Sequence, residues 1–194
     1  MNINSLSFGR KIPINQIRVL DKQQNKFVDA TFYEYDCKDL QDVQDVYDLS
    51  DEWSFSHILA DGMHKQYLCN FVNMPNSKFH YYCVKNDKNV TLGLCATQED
   101  DKEITVEFIE SKPFSLLKYV GQSMLSSLAQ KALLTEKEKL KIKGSLSDVK
   151  AFYEKVCGFT PINSQNQLFT SSFEMTSEEL PNFIERTQDK TLKS

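Results

Sequence analysis

The chain has 194 residues, 40% hydrophobic and 11% aromatic, which excludes a disordered chain and gives one domain room for a sizeable core. Its 23 Lys and Arg stand against 27 Asp and Glu, a net charge of −4 that argues against non-specific binding to nucleic acid. No apolar run approaches the roughly 20 residues that span a bilayer, so no membrane partner is expected.

Residues 1–13 hold Arg10 and Lys11 with no apolar segment behind them, and are expected to form an N-terminal arm, not a signal peptide. Residues 14–36 predict a hairpin: Ile17 and Val19 on one strand, a polar turn at 22–26, and an aromatic, β-branched return strand over 27–35. A helix follows from Lys38, with Leu40, Val43, Val46, Tyr47 and Leu49 expected inside. Asp39, Asp42, Asp45 and Asp48 recur every third residue, which drifts around a helix at ~100° per residue. A solvated face is the expected reading; a negative rim that attracts cationic amines is the sharper alternative. Residues 50–66, with Trp53, Phe55, Ile58, Leu59 and Met63, suit a second helix or a helix with a break at Gly62.

Residues 79–85, 90–97 and 104–109 predict three strands of an antiparallel meander, joined by the turns Asn86-Asp87-Lys88-Asn89 and 98–102. After Pro113 comes Lys118-Tyr119-Val120-Gly121-Gln122-Ser123. Met124, Leu125, Leu128, Ala132 and Leu133 then fall at helical spacing, so a helix begins near Gly121. Lys139 to Lys143 alternates lysine with Leu140 and Ile142, a half-buried strand with its lysines toward solvent. Ser147 can cap a further helix that places Val149, Phe152 and Val156 on one face and ends at Gly158. Residues 168–175 supply a last strand, Thr176-Ser177-Glu178-Glu179 resembles a capping box, Pro181 limits the helix after it, and 187–194 is a polar tail.

A strand feeding a glycine turn at a helix N-terminus is an anion site, because the first N–H groups of the helix lack partners and the macrodipole adds positive charge. Gly121 leaves room for a pyrophosphate to approach. Residues 118–123, followed in order by Phe152-Tyr153-Glu154-Lys155-Val156-Cys157-Gly158-Phe159, resemble the GNAT superfamily of N-acetyltransferases. That family carries Arg/Gln-x-x-Gly-x-Gly/Ala at the turn and a Phe-Tyr-Glu-Lys…Gly-Phe segment on the next helix. The chain departs from the pattern at Lys118, Ser123 and Leu146, in a longer turn over 113–117, and in Cys157, one residue more than usual.

The resemblance implies an α/β (α+β) fold: one domain over 14–186 with a mixed, mostly antiparallel central sheet flanked by helices. It implies acetyl-CoA as acyl donor and an amine as acceptor; no metal and a cytoplasmic location are expected from the cysteine and histidine spacing below, and a homodimer is one allowed assembly. The pyrophosphate would lie on Lys118, Tyr119, Val120, Gly121, Gln122 and Ser123. The pantetheine arm would run along a splayed strand that includes Phe108 and Ile109. Tyr153 would protonate the departing sulfur, against a bland reading as packing; Glu110 is the candidate base, against a bland reading as a surface carboxylate. Glu107 is a weaker candidate.

Cys37, Cys69, Cys83, Cys95 and Cys157 show no short pairing and do not cluster with His57, His64 or His80, so zinc spacing is absent and a reducing compartment is expected. Asp51, Glu52, His57 and His64 fall where the family shapes its acceptor pocket. The alternative function is a GNAT-fold module that binds CoA or a protein without turnover. A phosphate-binding loop of the Gly-x-x-x-x-Gly-Lys-Ser/Thr type is absent.

Overall fold

The computed structural model describes residues 11–53, 73, 78–146, 149–162 and 170–192. The reading of a second helix over 50–66, with His57 and His64, lies largely outside these residues. The strands are β1 (Ile12–Asp21), β2 (Lys26–Glu34), β3 (Phe79–Asn86), β4 (Thr91–Glu99), β5 (Glu103–Ser111), β6 (Leu117–Lys118), β7 (Lys139–Leu146), β8 (Thr160–Ile162) and β9 (Thr170–Thr176). The helices are α1 (Leu40–Trp53), α2 (Val120–Leu134) and α3 (Leu180–Leu192), with a π-helical segment at Phe152–Cys157. The sheet order is β6-β1-β2-β3-β4-β5-β7-β9-β8. Every pairing is antiparallel except β5 with β7, and parallel neighbours need a crossover, which α2 supplies.

Two apolar layers hold the sheet. On one face Leu125, Leu128 and Ala129 of α2 pack with Val19, Phe32, Tyr82, Ile104, Val106, Leu140 and Phe173; on the other, Val46, Leu49 and Trp53 of α1 pack with Tyr35, Tyr81 and Leu94. Gly93 is where α2 meets β4 most closely. A Cβ there would lie 2.7 Å from Val120 Cγ1 and 2.8 Å from Met124 Cε. The methionine end can swing aside, but the β-branched valine is stiff. Gly93→Ala is therefore expected to cost about 1–3 kcal/mol of stability, measured as a lower denaturant midpoint at unchanged slope.

Several expectations change in three dimensions. Leu40 is 86% exposed and Tyr47 is exposed, because the buried stripe of α1 runs through Asp42, Val46, Leu49 and Trp53. That stripe takes in part of the aspartate series, so it is not a solvated face. Asp39 caps the helix through Gln41 N–H at 2.8 Å. Asp42 is fully buried and Asp45 binds Lys11 at 2.9 Å and Lys85 at 2.8 Å. Burial pushes the Asp42 carboxyl up, against the Asp36 N–H and Lys11; at Asp45 burial acts the same way, but Lys85 and Lys11 outweigh it and hold the carboxyl down.

At the C-terminus α3 continues to Leu192, through residues read as a polar tail, with Thr187 and Thr191 buried. Pro181 sits in its first turn, where no N–H donor is needed. The Glu179 carboxylate accepts from both the N–H and the hydroxyl of Thr176, at 2.9 and 3.0 Å, as the capping-box reading anticipates.

A polar network lies beneath the C-terminal half of α2. Lys131 reaches Glu99 at 2.9 Å and Glu34 at 3.4 Å and donates to the Tyr82 hydroxyl, which in turn donates to Glu99. His80 Nδ1 lies 2.7 Å from Glu34. Sequence spacing offers no signal for this group, since its members come from four elements.

Candidate active site

β5 carries the first half of the site. Its ladder with β4 skips a residue between Val106 and Phe108, which makes Glu107 a bulge, and its pairing with β7 covers only Glu103 to Val106. Beyond the bulge β5 and β7 part, so Phe108 to Ser111 keep β4 on one side and an opening on the other. This is the splay expected of the strand.

The second half is the start of α2. Tyr119 adopts φ 70°, turning the chain from β6 into the helix, with its ring stacked on Phe27 at 6.2 Å between centroids. The first bond of the helix runs from Ser123 N–H to Tyr119 O, 2.8 Å. The N–H groups of Val120, Gly121 and Gln122 therefore have no intrahelical acceptor. Gly121 faces open space: a Cβ would meet only Phe152 Cζ at 3.9 Å and Ser111 Oγ at 4.0 Å.

The π-helical segment closes the third side. Its Gly158 ends the turn at φ 83°, and Arg186 Nη2 of α3 donates to Cys157 O at 3.2 Å. Cys157, the extra residue of the motif, is absorbed as the additional residue of the π-turn and buried completely. Tyr153 and Cys157 form the inner face, whereas Val149, Phe152 and Val156 border a cleft and Val156 is 40% exposed. The three residues expected on one face thus form a cleft wall.

Together these parts enclose a cleft of ≈ 540 Å³ that brings together Ile109, Glu110, Lys118, Tyr119, Val120, Gly121, Gln122 and Tyr153. Two other candidates sit elsewhere. The Ser123 hydroxyl turns toward Arg18 O at 3.4 Å, and the Phe108 side chain packs on the α1 face of the sheet. Within the cleft, the Gln122 side chain points away and donates to Thr187 Oγ1 at 3.1 Å, so only its backbone faces the opening.

Glu110 is buried in the wall, at 9% exposure. Glu107 points to the far side of the sheet, where Lys143 pairs with it at 3.1 Å. Lys139 and Lys141 pair likewise with Glu174 and Glu103, so these lysines are held on the sheet surface. Tyr153 lies among Phe152, Phe159 and Phe173, with ring centroids 5.3, 6.4 and 5.3 Å away. Burial, then the nearby Cys157 and Cys95, push its phenol well above the usual tyrosine range, so it carries its proton throughout the physiological range.

Neither a known protein-family profile nor a curated protein matches the chain. Solved structures do. A GNAT-family acetyltransferase from Staphylococcus aureus Mu50 superposes with a TM-score of 0.57 at 14% identity, over 76% of this chain and 99% of that one. The chain has the GNAT fold. The N-acetyltransferase PseH of Campylobacter jejuni is similar at TM-score 0.51 and 15% identity, over 76% of this chain and 97% of that one. The PaiA N-acetyltransferase of Thermoplasma acidophilum, solved in complex with coenzyme A, gives 0.52 at 13% identity, over 69% and 94%.

Proposed function

We propose that the chain is an acetyl-CoA-dependent N-acetyltransferase acting on a primary amine. The observation that carries this reading is one cleft bounded by the uncapped N–H groups of Val120, Gly121 and Gln122, the parted edge of β5, and Tyr153. The helix terminus would hold the pyrophosphate, with Lys118 beside it. The backbone of β5 beyond the bulge would bind the pantetheine amides and polarise the acetyl carbonyl. The neutral amine nitrogen forms a bond to the acetyl carbon, the C–S bond breaks, and the sulfur takes the phenolic proton of Tyr153. Glu110 would accept the proton that the amine loses. The residues fit this group: the cleft entrance is open at Gly121, and its wall is apolar at Ile109, Val149 and Phe152. Cys37, Cys83, Cys95 and Cys157 are all free thiols, which suits a reducing compartment.

The first test is calorimetric titration with acetyl-CoA, using ATP and NADH as controls, followed by thiol release with a panel of amines. Selective micromolar binding and amine-dependent thiol release are the expected results; no CoA binding would overturn the reading. A second reading, a scaffold that binds CoA without turnover, draws on the side-chain commitments of Gln122 and Ser123 and the aromatic surroundings of Tyr153. It predicts binding with no thiol release. Tyr153→Phe separates the two roles of that residue: the acyltransferase reading expects kcat to fall about 100-fold with acetyl-CoA affinity nearly unchanged. If neither the rate nor its pH profile moves, Tyr153 only packs.

A further inference from the structure

Glu107 and Glu110 lie three residues apart, an odd offset that in a regular strand puts two side chains on opposite faces. The bulge at Glu107 removes that alternation. Past it, Phe108 pairs with Ala96 and Glu110 with Leu94, and both partners belong to the apolar layer under α1. Residues directly opposite across a ladder share a face, so Glu110 faces away from α2. Lys143 does too, because Leu140 and Ile142, which alternate with Lys139, Lys141 and Lys143, pack in the α2 layer. Glu107 meets Lys143 on that side. The two carboxylates thus share one face of β5, about 10 Å apart along a strand that rises ~3.3 Å per residue.

Glu107 is buried at the fork of the two strands, and its counter-ion is not. The last pair between β5 and β7 is Val106 with Ile142, so Glu107 and Lys143 are the first residues past it, one from each strand. Lys143 Nζ lies 3.2 Å from Oε1 and 3.1 Å from Oε2. The Glu107 side chain is 3% exposed and that of Lys143 62%. A lysine so far in water gains little by pairing, whereas a buried carboxylate deprived of its cation is costly. The next pair along, Glu103 with Lys141 at 2.7 Å, is enclosed more evenly, and Thr105 also donates to Glu103 at 3.3 Å. Lys143 is therefore the cation that another ammonium can replace at least cost. A cavity of ≈ 330 Å³ on this face includes Thr105, Glu107, Lys143 and Ser172, while Glu110 borders the acyl cleft.

We propose that the acceptor is a linear aliphatic polyamine: one ammonium takes the place of Lys143 on Glu107, and the amine at the far end of the chain reaches Glu110 and the thioester. A flexible chain with a positive charge at each end matches two carboxylates spaced along one strand. The fork gives that chain a route into the acyl cleft from the face opposite α2. The reacting end rests on the acyltransferase reading; the ammonium site on Glu107 does not. Glu107 is then a specificity-determining residue, and Lys143 a built-in competitor for it.

The test is calorimetric titration of the full chain with cadaverine and spermidine, without acyl donor, set against butylamine, which carries a single ammonium. Both polyamines should bind at least about tenfold more tightly than butylamine. Glu107→Gln keeps the shape, removes the charge and should abolish that preference. Lys143→Met removes the competitor, so the polyamines should bind several-fold more tightly than they bind the parent. A pair that only braced the fork would shift both variants in the same direction. Lys143→Met, at a side chain mostly in water, gives an answer even where Glu107→Gln fails to fold. In thiol release with acetyl-CoA, Glu107→Gln should raise KM for cadaverine at least about tenfold, change kcat far less, and leave the butylamine kinetics unchanged. The proposal is overturned if the parent binds butylamine as tightly as the polyamines, if Glu107→Gln keeps the preference, or if Lys143→Met loses it. Polyamine binding that depends on Glu107 in a chain that binds no acetyl-CoA would overturn the acyltransferase reading and leave the Glu107 site standing. Amine-dependent thiol release without a polyamine preference would do the reverse.

Discussion

Gly121→Val is expected to abolish acetyl-CoA binding and to leave the domain folded. The fold tolerates the change because a Cβ at 121 meets only ordinary contacts, 3.9 Å to Phe152 and 4.0 Å to Ser111, and residue 121 is not in the left-handed region. The two methyl groups of valine then project into the mouth of the cleft, over the N–H groups that would hold the pyrophosphate. Charge-assisted hydrogen bonds to an anion are worth more than neutral ones, so displacing the phosphates forfeits several at once. A loss of at least about 100-fold in Kd is expected, equivalent to roughly 2.7 kcal/mol. Calorimetric titration measures it, and an unchanged unfolding midpoint shows that the loss is local. Normal acetyl-CoA affinity in the folded variant would move the phosphates to another place.

Lys131→Met is expected to be strongly destabilising. Lys131 is the cation that Glu34 and Glu99 share, with side-chain exposure of 18% against 22% and 11%. Removing one partner of a buried group leaves its charges uncompensated, at a cost of about 3–5 kcal/mol; the partial exposure of the lysine puts this case near the lower figure. For a chain of this size that lowers Tm by roughly 6–12 °C. The deficit depends on pH. Burial alone would raise the Glu99 carboxyl, but Lys131 and then His80 overcome it and hold the carboxyl below its ordinary value. A carboxylate with a lowered folded value contributes stability that is present above its unfolded value and lost as pH falls through the folded one. In the variant Glu99 loses that support and burial dominates, so the gap from the parent is widest near neutral pH and narrows as the medium is acidified and Glu99 protonates. Denaturant melts of both proteins at pH 7 and near the ordinary carboxylate value check this. A gap that stays constant would mean that Lys131 contributes packing only.

The two halves of the site differed in how far they could be read ahead of the fold. The turn before α2 was legible because strand, turn and helix are contiguous, and local chemistry decides that N–H groups at a helix start have no partner. The meander before it was legible for the same reason: period-two alternation and Asn-Asp turns are local signals. Which side chains of 118–123 face the cleft was not local. Gln122 and Ser123 turn away because Thr187 and Arg18 O meet them, partners far along the chain.

α1 shows the same division. Its aspartates at every third residue drift around the helix, and composition alone reads such a series as solvated. The tertiary structure instead buries Asp42 and ties Asp45 to Lys11 and Lys85, since β3 and the segment before β1 bring those lysines across. The extra residue Cys157 was visible as a departure from the family spacing, but only packing against Phe159, Phe173 and α3 decides that it enters a π-turn and stays buried rather than shifting Tyr153 out of the cleft.

By itself the sequence determined the opening hairpin, the three-strand meander, the glycine turn with the helix after it, and the pair of motifs that resemble the GNAT family, because each is written in contiguous residues; the short strands β6 and β8 were not read from it. The tertiary structure alone decided the parting of β5 from β7, the buried network around Lys131, the continuation of α3 through Thr187 and Thr191, and the sharing of one sheet face by Glu107 and Glu110. Each of these needs residues tens of positions apart to meet, and their meeting depends on the curvature of the whole sheet and the packing of α2 against it.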